Sequence, residues 1–164
     1  VLDKEGAGTP YIFNEVSVGS ELTIRGPQGV FILKEPLEQD IIMICTGTGI
    51  APFRSMVHHI HNNNIPHKNI SLVFGCRTKD TLLYYDELRK LQESMPGFHY
   101  VPTLSRELWE GKSGYVHPIY ESICKEGKPV NFYLCGWKGM IDEAKKRIVE
   151  MGYDKKSIHS EIYG

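Results

Sequence analysis

Ile41-Ile42-Met43-Ile44-Cys45-Thr46-Gly47-Thr48-Gly49-Ile50-Ala51-Pro52-Phe53 reads as a strand that turns directly into a helix. The unbroken apolar run suits a strand buried on both faces, as in a parallel sheet, whereas a half-solvated strand would alternate. Beyond the glycines, Ile50, Phe53, Val57 and Ile60 fall on one helical face. Pro52 is tolerated because the first helical turn has no use for its missing N–H. Asn62-Asn63-Asn64-Ile65-Pro66 then predicts a loop.

The pattern recurs along the chain. Further extended runs are expected at Ile70–Phe74, Phe98–Val101, Val130–Leu134 and Ile158–Ile162. Helices are expected from about Asp80 to Ser94, from Tyr115 or Pro118 to before Gly127, and along Met140, Ala144, Ile148 and Met151, stopping at Gly152. Strands alternating with helices predict an α/β fold, a five-stranded parallel sheet with helices on both faces. The N-terminal part differs. Glu21–Arg25 alternates, Gly26-Pro27-Gln28-Gly29 makes a turn, and Val30–Leu33 resumes an extended run. Two strands make no independent barrel, so residues 1–38 are expected to be the end of a preceding β-rich domain and 39–164 the α/β domain.

Composition narrows the partners. With 19 basic and 20 acidic residues, a formal charge of -1 gives no electrostatic reason for nucleic acid or a membrane surface. No apolar run is long enough for a membrane span, and the first residues have no secretory pattern, which predicts a soluble, cytoplasmic protein. Cys45, Cys76, Cys124 and Cys135 form no Cys-x-x-Cys, and His58, His59 and His61 lack the i, i+4 spacing of helical zinc ligands, so no metal site is expected.

Thr46-Gly47-Thr48-Gly49-Ile50-Ala51-Pro52 is the strongest local signal for chemistry. Glycines admit a diphosphate close to the backbone, and the helix N-terminus offers unpaired amides and positive potential to it. The common dinucleotide fingerprint is not met, because Pro52 replaces its third glycine and Cys76-Arg77 stand where an acidic residue belongs. Other unusual segments also follow strand ends: Gly75–Arg77, Ser105-Arg106, Cys135-Gly136 and Glu161–Tyr163. In an open parallel sheet ligands bind along that edge.

Gly47-Thr48-Gly49-Ile50-Ala51-Pro52-Phe53-Arg54-Ser55 resembles the nicotinamide-domain motif of the ferredoxin-NADP reductase superfamily. Phe74-Gly75-Cys76-Arg77 with Leu83–Leu88, Tyr133-Leu134-Cys135-Gly136 and the terminal Glu161-Ile162-Tyr163 resemble its later motifs in order. Gly6-Ala7-Gly8-Thr9 resembles the motif at the FAD pyrophosphate, and Gly26–Gly29 a turn near the end of the flavin domain. The resemblance implies that residues 1–38 are a remnant of a β-barrel FAD-binding domain. The superfamily's Arg-x-Tyr-Ser/Thr flavin motif would lie before Val1, so this chain alone is expected to bind FAD poorly.

Roles follow from the same resemblance. Thr46, Gly47, Thr48, Gly49 and Pro52 would hold the dinucleotide, together with Arg77 and Gly136. Cys135 and Glu161 would flank the nicotinamide, and Tyr163 would stack near the flavin. Ser105-Arg106 matches the pair that clasps the 2′-phosphate of NADP, with Tyr115 nearby, but Ser113 fills the slot of the expected lysine and Lys112 stands one residue earlier. Trp109–Val116 also resembles the loop of NADH-using oxygenase reductases. NADP and NAD both remain open, with the balance towards NADP. The intact protein is expected to pass hydride between NAD(P)H and FAD, then electrons to a ferredoxin, flavodoxin, haem or oxygenase acceptor. A nucleotide-binding electron-transfer subunit of a larger redox complex is the alternative.

Overall fold

The computed structural model describes residues 6–26, 28–124 and 127–163. The chain parts into two units, Val1–Ile32 and Leu33–Gly164, earlier than the boundary expected after residue 38. Leu37 belongs with the second unit, where it is buried and bridges His67.

In the first unit, Gly8–Asn14 forms the short helix α1, which buries no residue. The strands expected at 21–25 and 30–33 do not form among the described residues. Alternation equips one face of a strand for burial, but a strand also needs a neighbour to complete its ladder. Here Leu22, Ile24, Val30 and Ile32 stay exposed.

The second unit runs β1 (Asp40–Thr46), α2 (Ile50–Asn62), β2 (Ile70–Cys76), α3 (Tyr85–Ser94), β3 (Phe98–Leu104), β4 (Lys112–Ser113), α4 (Val116–Ile123), β5 (Val130–Gly136), α5 (Lys138–Glu150) and β6 (Ile158–Ile162). The sheet has six strands rather than the expected five, in the order β4-β3-β2-β1-β5-β6, and every pairing is parallel. The extra strand is a two-residue edge pairing Lys112 and Ser113 with Thr103 and Leu104. Both of its residues are exposed, so it leaves no apolar signature.

Burial accounts for the strand assignments. Ile41 to Cys45 are all buried, and successive residues face opposite sides of the sheet. Ile42 and Ile44 join Phe132, Leu134 and Val73 beneath Tyr120 of α4 and Ile141, Ala144 and Ile148 of α5. Helices α2 and α3 cover the other face, with Phe53, Val57, Ile60, Leu88 and Leu91 buried. Helix α3 starts later than Asp80 because Leu82 is extended and Tyr84 has φ 59, conformations that break a continuous helix. At its far end, α5 closes on Gly152, whose φ of 93 suits the left-handed cap position.

The chain winds outward from β1 to β4, then returns to lay β5 on the other side of β1. Their carboxyl ends therefore flank the point where winding reverses, the usual crevice for a ligand in this architecture.

Candidate functional site

At the end of β1, Thr46 is still extended, Gly47 has φ 53, and residues 47–49 make one 3-10 turn into α2. A Cβ at Gly47 would meet nothing within 4 Å, so this left-handed residue faces open space. The first turn of α2 holds no acidic residue and its start has no side-chain cap, which leaves amides and positive dipole potential available. Thr48 is exposed and Pro52 partly so.

Gly49 has a different reason to be glycine. A Cβ there would lie 2.3 Å from the Cys135 carbonyl oxygen and 2.8 Å from Gly136 Cα. Gly136, at φ 141, faces Thr46 in return, and its Cβ would come within 2.5 Å of Thr46 Oγ1. The same Oγ1 accepts the Trp137 backbone N–H at 3.4 Å. The turns after β1 and β5 are thus fitted to each other.

Strand β6 adds the C-terminal residues. Glu161 is in register with Cys135, and the Tyr163 N–H donates to the Gly136 carbonyl at 2.9 Å. Cys135, Gly136, Glu161 and Tyr163 are therefore neighbours at this edge. Cys135 itself is fully buried, and burial followed by the Glu161 charge pushes its thiol up to about 12. It is a neutral packing group at physiological pH. Cys45, its in-register neighbour on β1, is also buried and raised, first by desolvation. The Tyr163 hydroxyl is raised as well, chiefly by burial, although the residue is 39% exposed.

Arg77, Ser105, Arg106, Lys112 and Tyr115 gather on the β2–β3–β4 side of the same edge. The Ser105 N–H donates to the Cys76 carbonyl at 2.9 Å, and the Arg106 N–H to the Arg77 carbonyl at 3.0 Å. Lys112 lies beside Thr103 in the β3–β4 ladder, and the Gly114 N–H returns to the Leu104 carbonyl at 2.7 Å. Gly75 joins the two sides: a Cβ there would lie 2.8 Å from Val116 Cγ1 and 3.3 Å from Thr46 Cγ2. Arg106 makes no ion pair among the described residues, whereas Lys79 is paired with Glu110 at 3.0 Å. Gly6 and Thr9 lie in the first unit, Thr9 within α1.

The sequence reading missed Lys79 and Trp137, and it noted Trp109 only as the start of a loop, without a role. Trp137 is 70% exposed directly after β5, and Trp109 packs over the loop after β3. In the second unit, large apolar side chains are exposed at Leu83, Tyr84, Leu108, Tyr115, Trp137, Ile162 and Tyr163, all in segments at strand carboxyl ends, and elsewhere at Ile123. The exposed large apolar side chains of this unit thus concentrate at strand carboxyl ends. The signal for Trp137 was its place directly after Cys135-Gly136, a motif already singled out.

Two recesses lie away from this edge. One, of about 340 Å³ between α4 and α5, is lined by Glu121, Glu143 and Arg147, whose charges are already paired. The other, of about 160 Å³, is lined by Asp40, Asn69 and Lys128 among others, where the strands begin. On the surface of α2, His58 Nε2 lies 2.6 Å from Glu87 Oε1 and His59 Nε2 3.7 Å from Glu35 Oε1.

The family described as oxidoreductase NAD-binding domain matches residues 43–146. NADH-cytochrome b5 reductase 1 of Kluyveromyces lactis is 30% identical over 148 residues, covering 87% of this chain and 53% of that protein. The 2-halobenzoate 1,2-dioxygenase electron transfer component of Burkholderia cepacia is 31% identical over 144 residues, covering 85% and 42%. The flavohaem-like FAD/NAD-binding domain of nitric oxide dioxygenase from Vibrio cholerae superposes with a TM-score of 0.85 at 24% identity, over 97% of this chain and 65% of that one. The chain thus spans about half the length of the curated relatives it matches. With the β1–α2 turn and the end of β5 both inside the matched stretch, the chain belongs to the oxidoreductase NAD-binding domain family, of the ferredoxin-NADP reductase superfamily.

Proposed function

We propose that this chain is the pyridine-nucleotide half of a flavoprotein reductase that takes hydride from NADPH onto FAD and delivers electrons to a separate redox acceptor. The observation that carries it is the open, left-handed Gly47 beside an uncapped helix start without acidic side chains, at the reversal point of the sheet. That arrangement suits a dinucleotide diphosphate. Thr46, Gly47, Thr48 and Gly49 would supply backbone and hydroxyl groups to it, with Pro52 fixing the first turn behind them.

Hydride transfer needs the nicotinamide ring held close and aligned to its acceptor, since small displacements forfeit most of the rate advantage. Gly136 would give the ring's ribose access to the backbone, and Glu161 would offer it an acceptor. The buried Cys135 would back that wall as a neutral group. The exposed Tyr163, tethered by its own amide to Gly136, would cover the ring site and swing aside. When bound, FAD supplies the two-electron to one-electron conversion that a pyridine nucleotide lacks. Gly6 and Thr9 would touch its diphosphate, with a flavin-binding domain such as the longer relatives have room for completing that site. The acceptor belongs to the class served by those relatives, a haem protein or an oxygenase component.

The choice of NADPH rests on charge. Arg106 follows β3 and Lys112 opens the neighbouring β4, and a guanidinium suits a phosphate dianion. An NAD site of the common type would need a carboxylate for the ribose hydroxyls. Glu107 and Glu110, in the same loop as Arg106, are instead held by the Lys79 amide at 2.8 Å and its ammonium at 3.0 Å. Calorimetric titration with NADP⁺ and NAD⁺ tests this. NADP⁺ should bind more tightly, and Arg106→Ala should remove about tenfold or more of that preference, the worth of a charge-assisted pair. Equal affinities in the unsubstituted chain would refute the NADPH assignment.

A further inference from the structure

The loop between β3 and β4 is built around Trp109, a residue outside the set that would contact nucleotide. Its indole N–H donates to the Lys112 carbonyl at 2.5 Å. Its ring meets Tyr85 edge-on with centroids 5.9 Å apart, and Tyr85 in turn lies 6.2 Å from the buried Tyr100. On its third side the ring occupies the space above Gly111, where a Cβ would come within 2.3 Å of it. Gly111 is not in the left-handed region, so contact with the indole, rather than torsion, accounts for a glycine there.

The rest of the loop is tied at its ends. Ser105 bonds to the carbonyl of Cys76 at the end of β2 and Arg106 to that of Arg77, Gly114 bonds back to Leu104, and Lys79 engages both Glu107 and Glu110. Between these ties Lys112 enters the short ladder beside Thr103, and the Trp109 indole bonds to its carbonyl from within the loop.

We propose that Trp109 is the positioning residue for selectivity towards a 2′-phosphorylated pyridine nucleotide: its bond to the Lys112 carbonyl fixes the loop that carries both Arg106 and Lys112, so that the loop meets the phosphate without a further ordering cost. This rests on the reading that the loop takes the 2′-phosphate. Ordering a loop on binding carries an entropic cost, which a preset loop reduces. Lys79 contributes by keeping two carboxylates turned to itself.

Trp109→Phe keeps most of the ring and removes the N–H; Trp109→Ala removes both. The quantity to measure is the ratio of NAD⁺ to NADP⁺ dissociation constants by calorimetry, because a general folding defect weakens both nucleotides and leaves the ratio alone. The ratio should fall about fivefold in Trp109→Phe, the worth of one hydrogen bond, and about tenfold in Trp109→Ala. Gly111→Ala, which displaces the ring while keeping its chemistry, should move the ratio in the same direction. A strong NADP⁺ preference that persists in all three variants would overturn the positioning role and leave the phosphate reading standing. Equal affinities in the unsubstituted chain would remove both.

Discussion

Gly49 and Gly136 sit back to back where the β1 and β5 turns meet, each excluded from carrying a side chain by the other's backbone or by Thr46. Gly49→Ala should therefore destabilise the fold by about 2 kcal/mol or more, the cost of forcing a methyl into filled space. Urea unfolding followed by circular dichroism would measure it. Gly47 provides the contrast. Its conformation is left-handed but its surroundings are open, so an added side chain meets torsional strain and no clash. The sequence shows two glycines in one short turn and suggests one purpose for both. Only the third dimension separates them, because the atoms that crowd Gly49 come from Cys135 and Gly136, far along the chain.

Among the elements, α2 is the most plainly written in the sequence. Ile50, Phe53, Val57 and Ile60 recur at helical spacing, all are buried, and the predicted stop before the asparagines is close to the observed end. Phe53 is fully buried, and Phe53→Ala should cost about 3–5 kcal/mol in unfolding free energy. A loss below about 1 kcal/mol would mean that α2 is not held by its apolar face. Other elements were harder to read. The β4 pairing is two exposed residues long, and neither its apolar content nor its length distinguishes it from a loop. The start of α3 was placed too early because Asp80 lies in a local capping turn that resembles a helix start, while the Tyr84 conformation that interrupts it has no compositional cue. The alternation at 21–25 was real, yet alternation records a preference that pairing must realise. At the candidate site, the residues after strand ends were legible from their motifs. The supporting contacts of Lys79 and Trp109 were not, since they depend on which loops lie side by side.

Across the second unit, two histidines contribute to the response to mild acid. His117 of α4 is buried against α5, with Nδ1 at 3.1 Å from the Tyr120 hydroxyl and Nε2 at 3.4 Å from Glu143. Burial lowers its proton affinity more than Glu143 and Glu121 raise it, and Arg147 adds to the lowering. His159 on β6 is lowered too, by burial and then by Lys34. A histidine that titrates lower when folded lets the unfolded chain bind the extra proton first. Stability is then complete above the ordinary histidine value of 6.5 and declines as pH falls below it. The urea midpoint should drop between about pH 7 and pH 5, and His117→Gln should flatten that decline. A midpoint that rose on acidification would contradict the burial argument.

The mutual fit of the turns after β1 and β5 also bears on how such a chain tolerates change. In a library randomised at these turns and sorted for folded protein, positions 49 and 136 should return glycine almost without exception, and Thr46 should vary only with them. The β3–β4 loop is anchored separately, so cofactor preference should be open to laboratory evolution there while the phosphate turn stays untouched.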